Sequence, residues 1–206
     1  MIREMIMKKR LLNHFQKVDP VLFSVAQTII LEEHAIRSPN RYFVSLCSEI
    51  IGQQLSGKVA DVIVDRFEKL FSKRMVTPKR VLSVSEETLR GTGMSWSKAR
   101  FIRDLAQQVL TKSIQLDKLT QLPDQEVIKE LTRVKGIGPW TAEMFLMFTL
   151  GREDVFSYGD LGLRKAISKL YGFKKDPTQR QMEKIVNKWK PYRTYAARIL
   201  WKSLEL

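Results

Sequence analysis

Four times along this chain a small capping side chain is followed at once by a proline: Asp19-Pro20, Ser38-Pro39, Thr77-Pro78 and Asp176-Pro177. An oxygen at the cap accepts from the first unpaired N–H groups of a helix. Proline suits the first helical turn because an N–H there would have no intrahelical partner. Each pair therefore predicts a helix start, and in Asp176-Pro177-Thr178-Gln179 the glutamine adds a variant of the capping box. Ser85 and Asp124 read as further N-caps. Between these points apolar residues recur at helical spacing. Val59, Val62, Ile63, Phe67 and Leu70 mark one face, Phe101, Ile102, Leu105 and Val109 a second, and Ile128, Leu131 and Val134 a third. Period-two alternation is scarce, and residues 154–157 are the one weak strand candidate. The pattern predicts an all-α fold of about ten helices and essentially no sheet. Its natural break is Gly151-Arg152-Glu153-Asp154, after the apolar run that ends at Leu150.

Charge narrows the partners. The 206 residues carry 36 Lys+Arg against 22 Asp+Glu, a formal +14, which favours a polyanion such as nucleic acid. The single cysteine, Cys47, lies in an apolar helical run and reads as core. One cysteine cannot build an intramolecular disulfide, a Cys-based zinc site or a four-cysteine iron–sulfur cluster. His14 and His34 lack ligand spacing, so no metal centre is expected. The basic N-terminus is followed by no signal-peptide apolar stretch, and the run from Met144 to Leu150 is too short to span a bilayer. The expectation is a soluble, intracellular protein.

One segment carries more chemistry than the rest. Leu131-Thr132-Arg133-Val134-Lys135-Gly136-Ile137-Gly138 reads as the end of one helix, a glycine turn, and a second helix beginning near Pro139. Glycines at 136 and 138 would allow positive φ and a close backbone approach to a ligand. The exposed N–H groups of such a turn form an anion site suited to phosphate. Downstream stands an isolated acid, Asp160, whose simplest reading is an N-cap for the helix Leu161–Leu170. Phosphate grip and carboxylate together suit chemistry on a nucleic acid.

The stretch Val134-Lys135-Gly136-Ile137-Gly138-Pro139-Trp140-Thr141-Ala142, followed by Asp160, resembles the helix-hairpin-helix DNA glycosylase superfamily, and within it the 3-methyladenine DNA glycosylase II branch. Ile50-Ile51-Gly52-Gln53-Gln54-Leu55-Ser56 resembles that branch's early "QQLS" helix end. Trp189-Lys190-Pro191-Tyr192-Arg193-Thr194-Tyr195-Ala196-Ala197 resembles its C-terminal "WKPWRSYA" helix. These matches span most of the chain. The resemblance implies two helical lobes with a DNA-binding cleft between them. A six-helix lobe, 41–151, would carry the hairpin. A discontinuous second lobe, 1–40 plus 152–206, would carry the catalytic Asp. The extra N-terminal α/β domain of larger bacterial members is not expected.

The resemblance also assigns roles. Asp160 would stabilise oxocarbenium character on the sugar and orient a water; Asp154 is a competitor whose spacing to the hairpin does not fit. Gly136, Ile137 and Gly138 would hold a DNA phosphate through backbone N–H groups. Trp140, Met144 and Trp201 would line the pocket for a flipped, cationic base. Met144 stands where the best-known relative has a tyrosine, which leaves substrate range open. Met94 or Trp96 would be the wedge that fills the vacated stack, with Gln53 or Gln54 approaching the gap from the other side. Relatives that also cleave the strand have a lysine where this chain has Trp140, so a monofunctional enzyme is implied. No cofactor is expected beyond a monovalent cation at the hairpin carbonyls. The expected partner is double-stranded DNA containing damaged bases, bound by a monomer that has no membrane association. Two alternatives remain: a helical protein that binds DNA damage without catalysis, and a related glycosylase for oxidised or deaminated bases.

Overall fold

The computed structural model describes residues 2–31 and 36–205; His34 lies outside them. The described residues form twelve α-helices and no strand: α1 (Ile2–Val18), α2 (Pro20–Ala26), α3 (Tyr42–Gly52), α4 (Gly57–Lys69), α5 (Pro78–Leu82), α6 (Glu86–Gly91), α7 (Trp96–Leu110), α8 (Asp124–Leu131), α9 (Pro139–Met144), α10 (Leu161–Leu170), α11 (Gln179–Val186) and α12 (Arg193–Ser203). The fold is all-α, as the capping pattern predicts. No helix among the described residues is long and apolar enough to cross a membrane. The chain divides into two compact units, Ile36–Leu150 and Met1–Ala35 with Gly151–Leu206.

The cap–proline pairs differ in outcome. Asp19 and Thr77 cap α2 and α5, accepting from the N–H groups of Leu22 and Arg80, and Ser85 caps α6. Ser38-Pro39 opens a 3-10 turn, Pro39–Arg41, in which the Ser38 hydroxyl bonds Asn40. At Asp176-Pro177 the expectation fails by two residues. Thr178 is the N-cap of α11 and Gln181 completes the capping box, because the Asp176 carboxylate is taken by Arg164. Asp124 likewise sits inside the first turn of α8, after Pro123.

In the 36–150 unit, α3 is the central helix: Leu46, Cys47, Ile50 and Ile51 are fully buried. Burial pushes the Cys47 thiol far above its ordinary range, so it stays a neutral core group. The α4 expectation is half right. Ile63 and Phe67 are buried, whereas Val59, Val62 and Leu70 are exposed. α4 packs mainly on α3 and on the turn Ser72–Arg74, and so few neighbours cover only a narrow stripe. After α9 the helix continues as a π-helical turn, Phe145–Thr149.

The other unit joins both ends of the chain around the buried carboxylate of Asp19. Its Oδ1 accepts from the Leu22 N–H at 3.1 Å. Its Oδ2 accepts from the Tyr171 hydroxyl at 2.6 Å and the Trp189 indole at 2.8 Å. Burial, with the adjacent carboxylate, holds the Tyr171 hydroxyl far above its ordinary pKa and keeps it a donor. Residues 154–157 are not a strand. Val155, Phe156 and Ser157 are buried in a loop whose backbone bonds Thr194 of α12 instead of a neighbouring strand, with Val155 N–H donating to Thr194 Oγ1 at 3.0 Å.

Candidate functional site

The path to Asp160 is fixed before the residue itself. Thr194 donates from its hydroxyl to Arg152 O at 2.6 Å and from its backbone N–H to Glu153 O at 3.0 Å. Arg193 grips Asp154 through Nε to Oδ1 at 2.7 Å and Nη2 to Oδ2 at 3.1 Å. Asp154, the rival acid, is thereby committed to holding the start of α12, and such a bidentate pair is among the stronger charge-assisted contacts.

Asp160 is the N-cap of α10. Its Oδ1 accepts from the Leu163 N–H at 2.7 Å and from the Trp201 indole Nε1 at 2.9 Å. Two donors fix the plane of the carboxylate at the positive end of the helix dipole. The arrangement depends on Gly162: a Cβ there would lie 3.1 Å from Asp160 Oδ1, 3.2 Å from Trp201 Cδ1 and 3.3 Å from Trp201 Nε1. Trp201 is therefore a donor to the carboxylate as well as a half-buried ring.

In the other unit α8, the turn and α9 form the hairpin. Only Gly136 has positive φ, at 85°, while Gly138 is extended with φ −91° and ψ 175°. The expectation of positive φ at both glycines is corrected accordingly. Gly136 is required twice over, because a Cβ would also fall 2.1 Å from Phe101 Cδ2. A Cβ at Gly138 would meet nothing within 4 Å, so that side of the turn is open to a ligand. Ile137 departs from its expected role. Its N–H closes the turn on Val134 O at 3.1 Å and its side chain is buried. The Lys135 N–H is taken by Asp104 Oδ2 at 3.3 Å. The amides of Gly136 and Gly138 have no acceptor among the described residues.

Gln53 holds this turn from α3: its Nε2 donates to Gly136 O at 2.8 Å and to Thr141 Oγ1 at 3.1 Å. The Gln53 side chain is thus engaged within the protein and is not extended toward a duplex. Lys98 donates to Ile51 O at 2.8 Å and Gln53 O at 2.7 Å, neutralising the C-terminal end of α3, and burial pushes its ammonium below the ordinary range. Between these anchors Gln54 is exposed in the left-handed region, φ 59°, beside exposed Leu55. A non-glycine residue held there stores strain. Of the two wedge candidates, Met94 is 2% exposed and packed in the core, whereas Trp96, first residue of α7, is 44% exposed. Met94 is corrected to a packing residue, because no face of it reaches a ligand. Trp140 is 39% exposed, but Met144 only 4%, which leaves no surface for a base to stack on.

The profile of the HhH-GPD superfamily base excision DNA repair proteins matches residues 47–191, spanning the "QQLS" turn, the hairpin and Asp160. The chain belongs to the HhH-GPD superfamily. A DNA-3-methyladenine glycosylase 1 from Schizosaccharomyces pombe is 32% identical over 166 residues, 80% of this chain and 73% of that one. A solved S. pombe 3-methyladenine DNA glycosylase in complex with abasic DNA superposes with TM-score 0.86 at 28% identity, covering 96% and 97% of the two chains. A DNA-3-methyladenine glycosidase from Bacillus halodurans gives TM-score 0.78 at 37% identity, covering 92% and 86%.

Sequence reading missed two residues of this HhH-GPD protein. Gly162 makes room for the Trp201 indole and Lys98 bonds the Ile51 and Gln53 carbonyls, contacts between positions distant in sequence that no local pattern reveals.

Proposed function

We propose that this protein is a monofunctional DNA glycosylase that hydrolyses the N-glycosidic bond of alkylated purines, lesions of the 3-methyladenine type, in duplex DNA. The observation that carries the proposal is the Asp160 carboxylate, aimed by the Leu163 N–H and the Trp201 indole at the head of α10 in an HhH-GPD chain.

An N-alkylated purine is a cationic leaving group, so departure with the bonding electron pair neutralises it. Positive charge then builds on the sugar, and a fixed carboxylate stabilises it without reorganisation. A water adds at C1′ as the C1′–N bond breaks, and its proton passes by way of the Asp160 carboxylate to solvent. No metal or redox group enters this sequence of steps. A monovalent cation at the hairpin would share the Gly136 carbonyl with Gln53. A strand-cleaving lyase needs an amine to form a Schiff base; the indole of Trp140 at that position supplies none.

The phosphate grip falls to the Gly136 and Gly138 amides, with no demand on base sequence. Trp140 and Trp201 offer the electron-rich rings that a cationic base stacks on. Trp96 is the wedge, and Gln54 with Leu55 is the other exposed pair that can enter the stack.

The test is release of free base from alkylated duplex by wild type and by Asp160→Asn. Asparagine caps a helix as well as aspartate does, so the variant removes charge and keeps α10. Methylpurine release by wild type alone, with duplex binding kept by both proteins, supports the reading. Binding by wild type without release refutes it, and loss of binding together with release in the variant makes Asp160 structural.

A further inference from the structure

The basic charge of this chain is concentrated. Residues 164–190 hold nine Lys+Arg and two Asp+Glu, so these 27 positions supply +7 of the +14. Elsewhere some of the bases are paired. Lys69 and Arg74 pair with Asp65, Lys129 with Glu126 and Arg133 with Glu130. Such pairs cancel the field that a polyanion would feel. On α10, by contrast, Lys165 and Lys169 are exposed and join no ion pair among the described residues.

These two lysines line a groove of about 450 Å³ between the outer face of α10 and the segment that follows it. Two sets of contacts make the groove a formed structure. Ser168 Oγ donates to Phe173 O at 3.3 Å and ties the far wall to the helix. Arg164 is held by the Asp176 carboxylate and by Pro177 O at 3.2 Å. Lys165 and Lys169 stand one helical turn apart, with axial spacing of about 6 Å. Exposed Leu161 and the half-buried ring of Phe173 give the groove an apolar floor at each end.

We propose that this groove binds the phosphodiester backbone of DNA, as a phosphate site separate from the hairpin amides. Lys165 and Lys169 are the phosphate contacts, and Arg164, neutralised by Asp176, shapes the wall with Ser168 and Phe173. The choice of DNA as occupant rests on the glycosylase reading, because α10 is capped by Asp160 and carries Lys165 and Lys169 on the same helix. The local charge excess supplies the complementarity.

The experiment measures duplex affinity against salt concentration for wild type, for Lys165→Gln with Lys169→Gln, and for a charge-matched control, Lys79→Gln with Lys118→Gln. All four lysines are exposed, so both variants fold. Each phosphate contact contributes about 0.9 to the slope of log affinity on log salt, so the groove variant should lose about 1.8. The control should keep the wild-type slope. An equal loss in both variants, or none in the groove variant, overturns the proposal. So does competition by polyglutamate equal to competition by DNA, which would make an acidic polypeptide the occupant. Base release from alkylated duplex is scored separately in the same preparations. A reduced slope without release sinks the enzymatic reading and keeps the groove, whereas release with an unchanged slope does the reverse.

Discussion

Replacing Gly162 by alanine separates catalysis from stability in this fold. Gly162 lies in the first turn of α10 with ordinary helical backbone, so alanine should help the helix by about 0.5–1 kcal/mol. The new Cβ, however, would sit 3.1–3.3 Å from Asp160 Oδ1 and from two atoms of the Trp201 indole, inside normal van der Waals contact. The carboxylate and the indole must each yield by a few tenths of an ångström, and the 2.9 Å bond between them lengthens or breaks. A hydrogen bond to a charged group is worth about 1.5–3 kcal/mol. If the transition state relies on that orientation, half or more of this appears in the barrier. Gly162→Ala should then slow base release by about tenfold, at about 1.4 kcal/mol per factor of ten. The assays are single-turnover base release from alkylated duplex and urea unfolding of the same preparation. The expected result is a slower enzyme that is destabilised by no more than about 2.5 kcal/mol, because the helix gain offsets part of the lost bond. Release at the wild-type rate, or activity lost only in proportion to stability, would refute the reasoning.

Gly136→Ala should be much harsher on the fold. Overpacking against Phe101 and a left-handed alanine together cost about 3 kcal/mol, read as a lowered denaturation midpoint. Gln53→Ala removes both bonds that hold the hairpin to α3, costing about 1–2 kcal/mol. It should weaken duplex binding more than it slows single-turnover release at saturating protein. Glu49 of α3 is pushed up by burial from an ordinary 4.5 to about 7. Between those pH values the folded chain keeps a proton that the unfolded chain has lost, so stability falls as pH rises through the window and levels off above it. Glu49→Gln should match wild type in urea unfolding near pH 4.5 and exceed it by up to about 3 kcal/mol at pH 8; an equal difference at both pH values would contradict the assignment.

Local signals in the sequence carried the all-α class, because caps and apolar spacing act within a few residues. They failed wherever a distant partner competed. Asp176 was available as a cap on paper, yet Arg164 claims it from the preceding helix. Residues 154–157 looked weakly like a strand because they alternate, yet what they bond is Thr194, about forty positions later. In the candidate site, Asp160 and the hairpin glycines stood out because their chemistry is written in residue type and spacing. Burial is not written that way. Met94 and Met144 have the right chemistry for a wedge and a pocket wall, and only the packing around them shows that neither reaches a surface.

The Asp19 carboxylate sets an order of events during synthesis. Its donors are Leu22, Tyr171 and Trp189, so the first two helices emerge long before the residues that complete their core. At about 5–20 residues per second, Asp19 waits for its last partner on the order of ten to thirty seconds. Meanwhile residues 36–150 form a unit with their own core and can fold first. Asp160 gains its indole donor only once Trp201 has left the ribosome. A nascent chain therefore acquires its hairpin well before the Asp160 carboxylate meets its indole donor.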